Sequence, residues 1–206
     1  MAGLSAVFRM IAGMTGFSLI QPETAAGEAA DVLAATQRVL GITSNLARAL
    51  ANSPAALRGY LGFAGALRGG SLPAVVGERI ALLVAQRTGC DYCLSAHTYT
   101  GIRVAGLSQA EAARARNGEA SEPRAAAVLA FAAAVLDGQG RVTGAELAAA
   151  RSGGLSDGQL AEVVAHVALG VFACYFANTA GLEIDWPLIR HTGPLPVRAN
   201  EGRKSS

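Results

Sequence analysis

The chain has 206 residues, 51 % of them hydrophobic but only 5 % aromatic, and its 17 basic and 15 acidic side chains leave a net charge of +2. Near-balanced charge gives no footprint for nucleic acid or an anionic membrane as partner, and three cysteines are too few and odd for a secreted disulfide framework. Abundant alanine and scarce β-branched runs point to an all-α protein of one domain, large enough to bury a core.

Met1–Ala26 has the outline of a signal peptide, but its apolar stretch is broken by Gly13, Thr15, Gly16 and Ser18 and its charged region is Arg9 alone. A cytoplasmic location is expected. Ser53-Pro54 caps and starts a helix over Ala55–Arg68, which Gly69-Gly70 stops. Ser71 and Pro73 open the next, running through Glu78 to about Arg87, with a break at Thr88-Gly89. Another helix begins near Cys90 and ends near Gly106. Ser108/Glu111, Thr143/Glu146 and Ser156/Gln159 have capping-box spacing, and Ser121 with Pro123 starts Arg124–Leu136. The last helix spans Gln159 to about Thr179. Val163–Leu182 is long enough to cross a bilayer, yet His166, Gly170, Asn178 and Thr179 suit a buried helix better. The helical domain is therefore set at residues 22–189, with 1–21 and 197–206 as peripheral or disordered ends.

The chemistry centres on Cys90-Asp91-Tyr92-Cys93 and His97. At about 100° per residue, Cys90, Cys93 and His97 project from one face of a helix. Cys93 and His97 are an i, i+4 pair within reach of each other. Cys90 stands at the helix N-terminus, where free N–H groups and the dipole favour a thiolate. A haem-attachment motif needs histidine where Leu94 stands, and a thioredoxin-like site needs a βαβ setting that is missing. Two readings stay open beside a redox dithiol. One is zinc, with Cys90, Cys93 and His97 as three ligands and His166 or Cys174 completing the set. The other is a pair of buried core cysteines. Glu78, twelve residues before Cys90, is either an exposed residue beside Arg79 or the group that orients His97. Glu162 and His166 form another i, i+4 pair with no third partner. Cys174 reads as a packed thiol, and His191 has no evident partner.

Glu78-Arg79-Ile80-Ala81-Leu82-Leu83-Val84-Ala85, followed by Gly89-Cys90-Asp91-Tyr92-Cys93-Leu94-Ser95-Ala96-His97, resembles the core of the alkylhydroperoxidase D-like branch of the carboxymuconolactone decarboxylase superfamily. The outer stretches Leu46–Arg48, Ser53-Pro54, Phe176–Asn178 and Asp185–Pro187 resemble its peroxidase-related members more weakly. The resemblance implies an all-α alkylhydroperoxidase D-like fold assembled as a homotrimer or homohexamer. It implies a thiol-dependent peroxidase or disulfide reductase, an oxidoreductase with no cofactor and no metal. The hydroperoxide and a thiol or disulfide reductant would be its partners. Cys93 would attack, Cys90 would resolve the sulfenic acid as a redox-active disulfide, and Glu78 with His97 would relay protons.

The dipole argument ranks Cys90 as the lower-pKa thiol, whereas His97 one turn from Cys93 supports attack by Cys93. Position 92 departs from the pattern, holding tyrosine where well-studied members have histidine. A phenol with a pKa of about 10 is a poor base at neutral pH, so Tyr92 is at most a supporting hydrogen-bond donor. The competing functions are a decarboxylase-like enzyme acting on a lactone, which has no evident need for a CxxC, and a non-enzymatic oligomeric zinc module.

Overall fold

A computed structural model describes residues 16–193 and contains nine α-helices and no strand among them. The order is α1 (Gly27–Leu40), α2 (Asn45–Leu50), α3 (Pro54–Arg68), α4 (Ala74–Thr88), α5 (Asp91–Arg103), α6 (Gln109–Arg116), α7 (Pro123–Asp137), α8 (Gly144–Ser152) and α9 (Asp157–Ala180). Arg9 and the tail beyond Pro196, with Lys204, lie outside the described residues.

Helix α4 is the axis of the bundle. Leu82, Leu83, Val84 and Ala85 are consecutive and all fully buried, so this turn of the helix is covered on every side. It packs against α5, α6, α7 and α9. Each such buried leucine contributes roughly 1.5–3 kcal/mol of transfer free energy. Helix α9 is long and apolar enough to cross a membrane by length and composition. It packs instead against α2, α3, α4, α5 and α7, burying Leu160, Val163, Val167, Ala173, Cys174, Ala177 and Ala180.

The helix starts show where local sequence sufficed. Thr143/Glu146 and Ser156/Gln159 form complete capping boxes. Ser108 caps α6, but the Glu111 carboxylate turns away to Arg79 and the backbone of Ser121. For α7 the cap is Glu122, not Ser121: its carboxylate accepts from the Arg124 and Ala125 N–H groups. No side chain of its own segment caps α4. Glu162, from α9, accepts the Ser71 and Leu72 N–H groups at 2.9 Å.

Residues 16–21, placed outside the domain on sequence grounds, are tied to it. Phe17 N–H donates to Ala180 O, Ile20 N–H donates to Arg48 O, and the Phe17 ring meets Phe176 edge-on. Of its apolar side chains, Ile20 packs against the core, while Phe17 stays half exposed. After α9 the chain forms a strap across α5. Tyr92 Oη donates to Asp185 Oδ2 at 2.6 Å and accepts the Leu46 N–H at 3.0 Å. The Tyr92 ring packs edge-on against Trp186. Ser95 Oγ accepts the Ile189 N–H, and Asp91 Oδ1 accepts the His191 N–H with the His191 ring nitrogen 2.7 Å away. His191 therefore has a partner that its sequence neighbours did not reveal.

This strap yields a stability test. Replacing Tyr92 by phenylalanine removes one hydroxyl that serves Asp185 and Leu46 together. Urea unfolding of Tyr92→Phe is expected to show a loss of about 1–2 kcal/mol with an unchanged denaturant slope. An unchanged midpoint would show that the hydroxyl contributes nothing to holding the strap.

Candidate active site

The site begins at the turn from α4 to α5. Gly89 ends α4 in the left-handed conformation, at φ 65°, where a side chain would be strained. The next residue, Cys90, is extended and forms the N-cap of α5. Its Sγ accepts the Cys93 N–H at 3.3 Å, the place a serine oxygen takes in an ordinary cap. Cys90 thus stands just outside the helix whose face it was expected to share, yet the cap bond keeps its sulfur over the first turn.

A third thiol completes the group. Cys174, from α9, joins Cys90 and Cys93 with all three sulfurs within 4.8 Å of one another. Their exposures are 0 %, 3 % and 1 % for Cys90, Cys93 and Cys174. Sequence offered Cys174 only as one of two residues that could complete a zinc site, because it lies 81 residues beyond Cys93 and among apolar neighbours. Hydrogen bonds from the Cys174 and Cys93 thiols, the Cys93 backbone N–H and the nearby His97 charge hold the Cys90 thiol well below its ordinary value, against burial. Those bonds and burial push Cys93 and Cys174 the other way. Negative charge therefore collects on Cys90. These three sulfurs are also the group that could hold a soft metal ion, and His97 is not among them.

Glu78 on α4 and His97 on α5 meet side chain to side chain. His97 Nδ1 lies 2.9 Å from Glu78 Oε2, and Thr100 Oγ1 donates to that same oxygen at 2.7 Å. Burial opposes the charged form of Glu78, but the His97 charge and the hydrogen bonds from His97 and Thr100 outweigh it and hold the carboxyl low. Burial likewise disfavours imidazolium, and Glu78 with the Cys90 thiolate overcomes it, raising His97. Tyr92, the candidate supporting residue, is committed to Asp185 and Leu46 in the strap.

A cavity of about 450 Å³ opens over this pair, lined among others by Tyr60, Glu78, His97, Thr100 and His166. Gly77 makes room for His166: a Cβ there would sit 3.0 Å from the imidazole. Burial lowers the His166 pKa, and its Nε2 is buried with no hydrogen-bond partner. Burial also pushes the Tyr60 phenol up to about 12. Glu162 and His166 are not an acid–base couple in the way their spacing suggested. Glu162 is taken up by the Ser71 and Leu72 backbone, and His166 faces the cavity.

Residues 54–135 match the model of the carboxymuconolactone decarboxylase family. Over this segment the chain is similar to the carboxymuconolactone decarboxylase family. The segment covers α3 to α7, hence Glu78, both cysteines of the CxxC and His97, while Cys174 lies beyond it. No curated protein matches the chain. Among solved structures, it is similar to the alkylhydroperoxidase core of an uncharacterized peroxidase-related protein from Ralstonia eutropha JMP134. That pair has a TM-score of 0.73 and 23 % identity, over 82 % of this chain and 91 % of the other. A peroxidase-related protein from Silicibacter sp. TM1040 gives a TM-score of 0.70 at 19 % identity, over 82 % and 92 %. The debrominase Bmp8, in a variant bound to 2,3,4-tribromopyrrole, gives 0.68 at 17 % identity, over 84 % and 91 %. The described residues therefore carry the alkylhydroperoxidase D-like fold.

The Glu78–His97 pair has a defined pH window. A lowered carboxyl stabilises the fold above its unfolded value, 4.5, and that contribution is lost as pH falls through the native value. A raised imidazole contributes fully below its unfolded value, 6.5, and the contribution is lost as pH rises through the native value. Between those limits both are present. In Glu78→Gln the His97 titration, followed by proton–carbon NMR, is expected to move to lower pH. A curve unchanged from wild type would show that Glu78 does not set the charge of His97.

Proposed function

We propose that this protein is a thiol-dependent peroxidase, an oxidoreductase that reduces hydroperoxides through Cys90 and Cys93. The observation that carries the reading is the capped Cys90 sulfur, which holds negative charge beside a second thiol and close to a Glu78–His97 proton pair. Thiolate is the nucleophile, so the electrostatics favour attack by Cys90, reversing the order that the resemblance implied. The Cys90 sulfur attacks the distal peroxide oxygen, the O–O bond breaks, and His97 protonates the departing alkoxide. Cys90 is then a sulfenic acid. The Cys93 sulfur attacks it, the S–O bond breaks, water leaves, and a Cys90–Cys93 disulfide remains. An external dithiol reduces that disulfide and is itself oxidised.

The cavity suits a small organic hydroperoxide, since apolar residues such as Leu67, Leu72 and Leu169 share its wall with a few polar groups. Phe63, Val104, Phe172 and Tyr175 leave apolar surface exposed, which favours assembly as a homotrimer or homohexamer. A cytoplasmic setting, with its reducing thiol pool, fits a dithiol that must be regenerated. A second reading, zinc held by Cys90, Cys93 and Cys174, is favoured by the three clustered sulfurs. Metal analysis of protein purified without chelator decides it, near-stoichiometric zinc being the supporting result.

The activity test is hydroperoxide consumption with a dithiol reductant. Cys90→Ser and Cys93→Ser are each expected to lower kcat/KM by roughly a hundredfold or more. With both neighbouring thiols removed, in Cys93→Ser/Cys174→Ala, dimedone should trap a sulfenic acid on Cys90. Equal rates for wild type and both variants would overturn the peroxidase reading, and a sulfenic acid confined to Cys93 in Cys90→Ser would restore the opposite order of attack. 2,3,4-Tribromopyrrole in place of the hydroperoxide tests a dehalogenase: bromide release lost in both variants would supplant the peroxidase reading.

A further inference from the structure

The proposed cycle uses two sulfurs, but the site holds three. Cys174 arises from the middle of α9 and is 1 % exposed. A thiol that merely fills space would be surrounded by hydrocarbon. This one has its sulfur within 4.8 Å of both Cys90 and Cys93. It is supplied by a helix that packs on both α4 and α5. A disulfide requires the sulfurs to close to about 2 Å, from a starting separation of no more than 4.8 Å.

We propose that Cys174 is a third redox-active thiol of this centre, a reserve resolving group that closes a disulfide with Cys90. The inference rests on the peroxidase reading for its physiological oxidant. In the reduced protein, Cys174 donates its S–H to the Cys90 thiolate. After attack on the hydroperoxide, the Cys174 sulfur displaces the hydroxyl of the Cys90 sulfenic acid. The S–O bond breaks, the S–S bond forms, and the hydroxyl leaves as water with the Cys174 proton. The sulfenic sulfur is reduced and the Cys174 sulfur is oxidised, so no further reagent is needed. Cys93 then attacks Cys90 in the Cys90–Cys174 disulfide, giving Cys90–Cys93 and releasing Cys174 as a thiol. That exchange moves no net electrons. Its consequence is protection, because a sulfenic acid flanked by two thiols is resolved before a second peroxide can carry it to sulfinic acid.

The test leaves Cys174 native and removes its competitor. Reduced, chelator-treated Cys93→Ser and the double variant Cys93→Ser/Cys174→Ala are each given one equivalent of tert-butyl hydroperoxide, alkylated and mapped by mass spectrometry. The expected result is a Cys90–Cys174 peptide in Cys93→Ser, with the double variant giving a dimedone-trapped sulfenic acid on Cys90. A second arm replaces hydroperoxide by diamide, which oxidises neighbouring thiols without any peroxidase step. A Cys90–Cys174 link under diamide but not under hydroperoxide would support the third thiol and sink attack on the hydroperoxide by Cys90. No link under either oxidant would overturn the inference. Independently, Cys174→Ala should move the pH profile of Cys90 alkylation upward, since one S–H donor to the thiolate is gone. An unmoved profile would show that Cys174 does not act on the Cys90 charge.

Discussion

The first turn of α5 begins with backbone N–H groups that no carbonyl within the helix can reach, and a sulfur occupies the place where an oxygen usually satisfies one of them. Cys90 accepts from Cys93 across that turn, and the partial positive charge of the helix start stabilises an anion there. Much else in the site follows from this bond. It fixes Cys90 outside the helix and over Cys93. It also gives the thiols on Cys93 and Cys174 a charge to donate toward. The left-handed Gly89 is what lets the chain leave α4 and place the cap within two residues.

A buried negative sulfur needs compensation, and the bundle provides it by packing two helices side by side. Glu78 on α4 and His97 on α5 are 19 residues apart in sequence and 2.9 Å apart in space. The His97 ring lines the cavity, and Glu78 together with the Cys90 thiolate raises its pKa against burial. Around it the strap after α9 ties down α5 at three points, Asp91, Tyr92 and Ser95. Tyr92 therefore has a structural task that explains why a phenol is useful where a base is absent: its hydroxyl donates to Asp185 and accepts from Leu46 at once.

Much of this was legible in the residues. Helix stops at Gly69-Gly70 and Gly89 and the boxes at Thr143/Glu146 and Ser156/Gln159 rest on contacts within a few residues, which local sequence dictates. Glu78, Cys90, Cys93 and His97 stood out because their spacing sits inside one helical hairpin. Where local reading failed, a distant segment had intervened. Glu162 caps the entry to α4 from 91 residues away. Asp91 claims His191 over 100 residues. Glu111 leaves its expected box for Arg79 on another helix.

By itself, then, the sequence determined that the chain is helical, where most helices begin, and that a dithiol, a histidine and a glutamate belong to one hairpin. These are properties of periodicity, capping and short-range spacing, whose physics acts within a few turns. Only the tertiary structure decided that Cys174 completes the sulfur cluster, that His166 faces the cavity, and that Tyr92 holds a strap. Each depends on the packing of α9 and the segment after it against α4 and α5. Helix-on-helix packing brings together side chains whose separation along the chain carries no periodic signal. The capped sulfur was foreseen as a low-pKa thiol from its position alone; its two sulfur donors needed the fold.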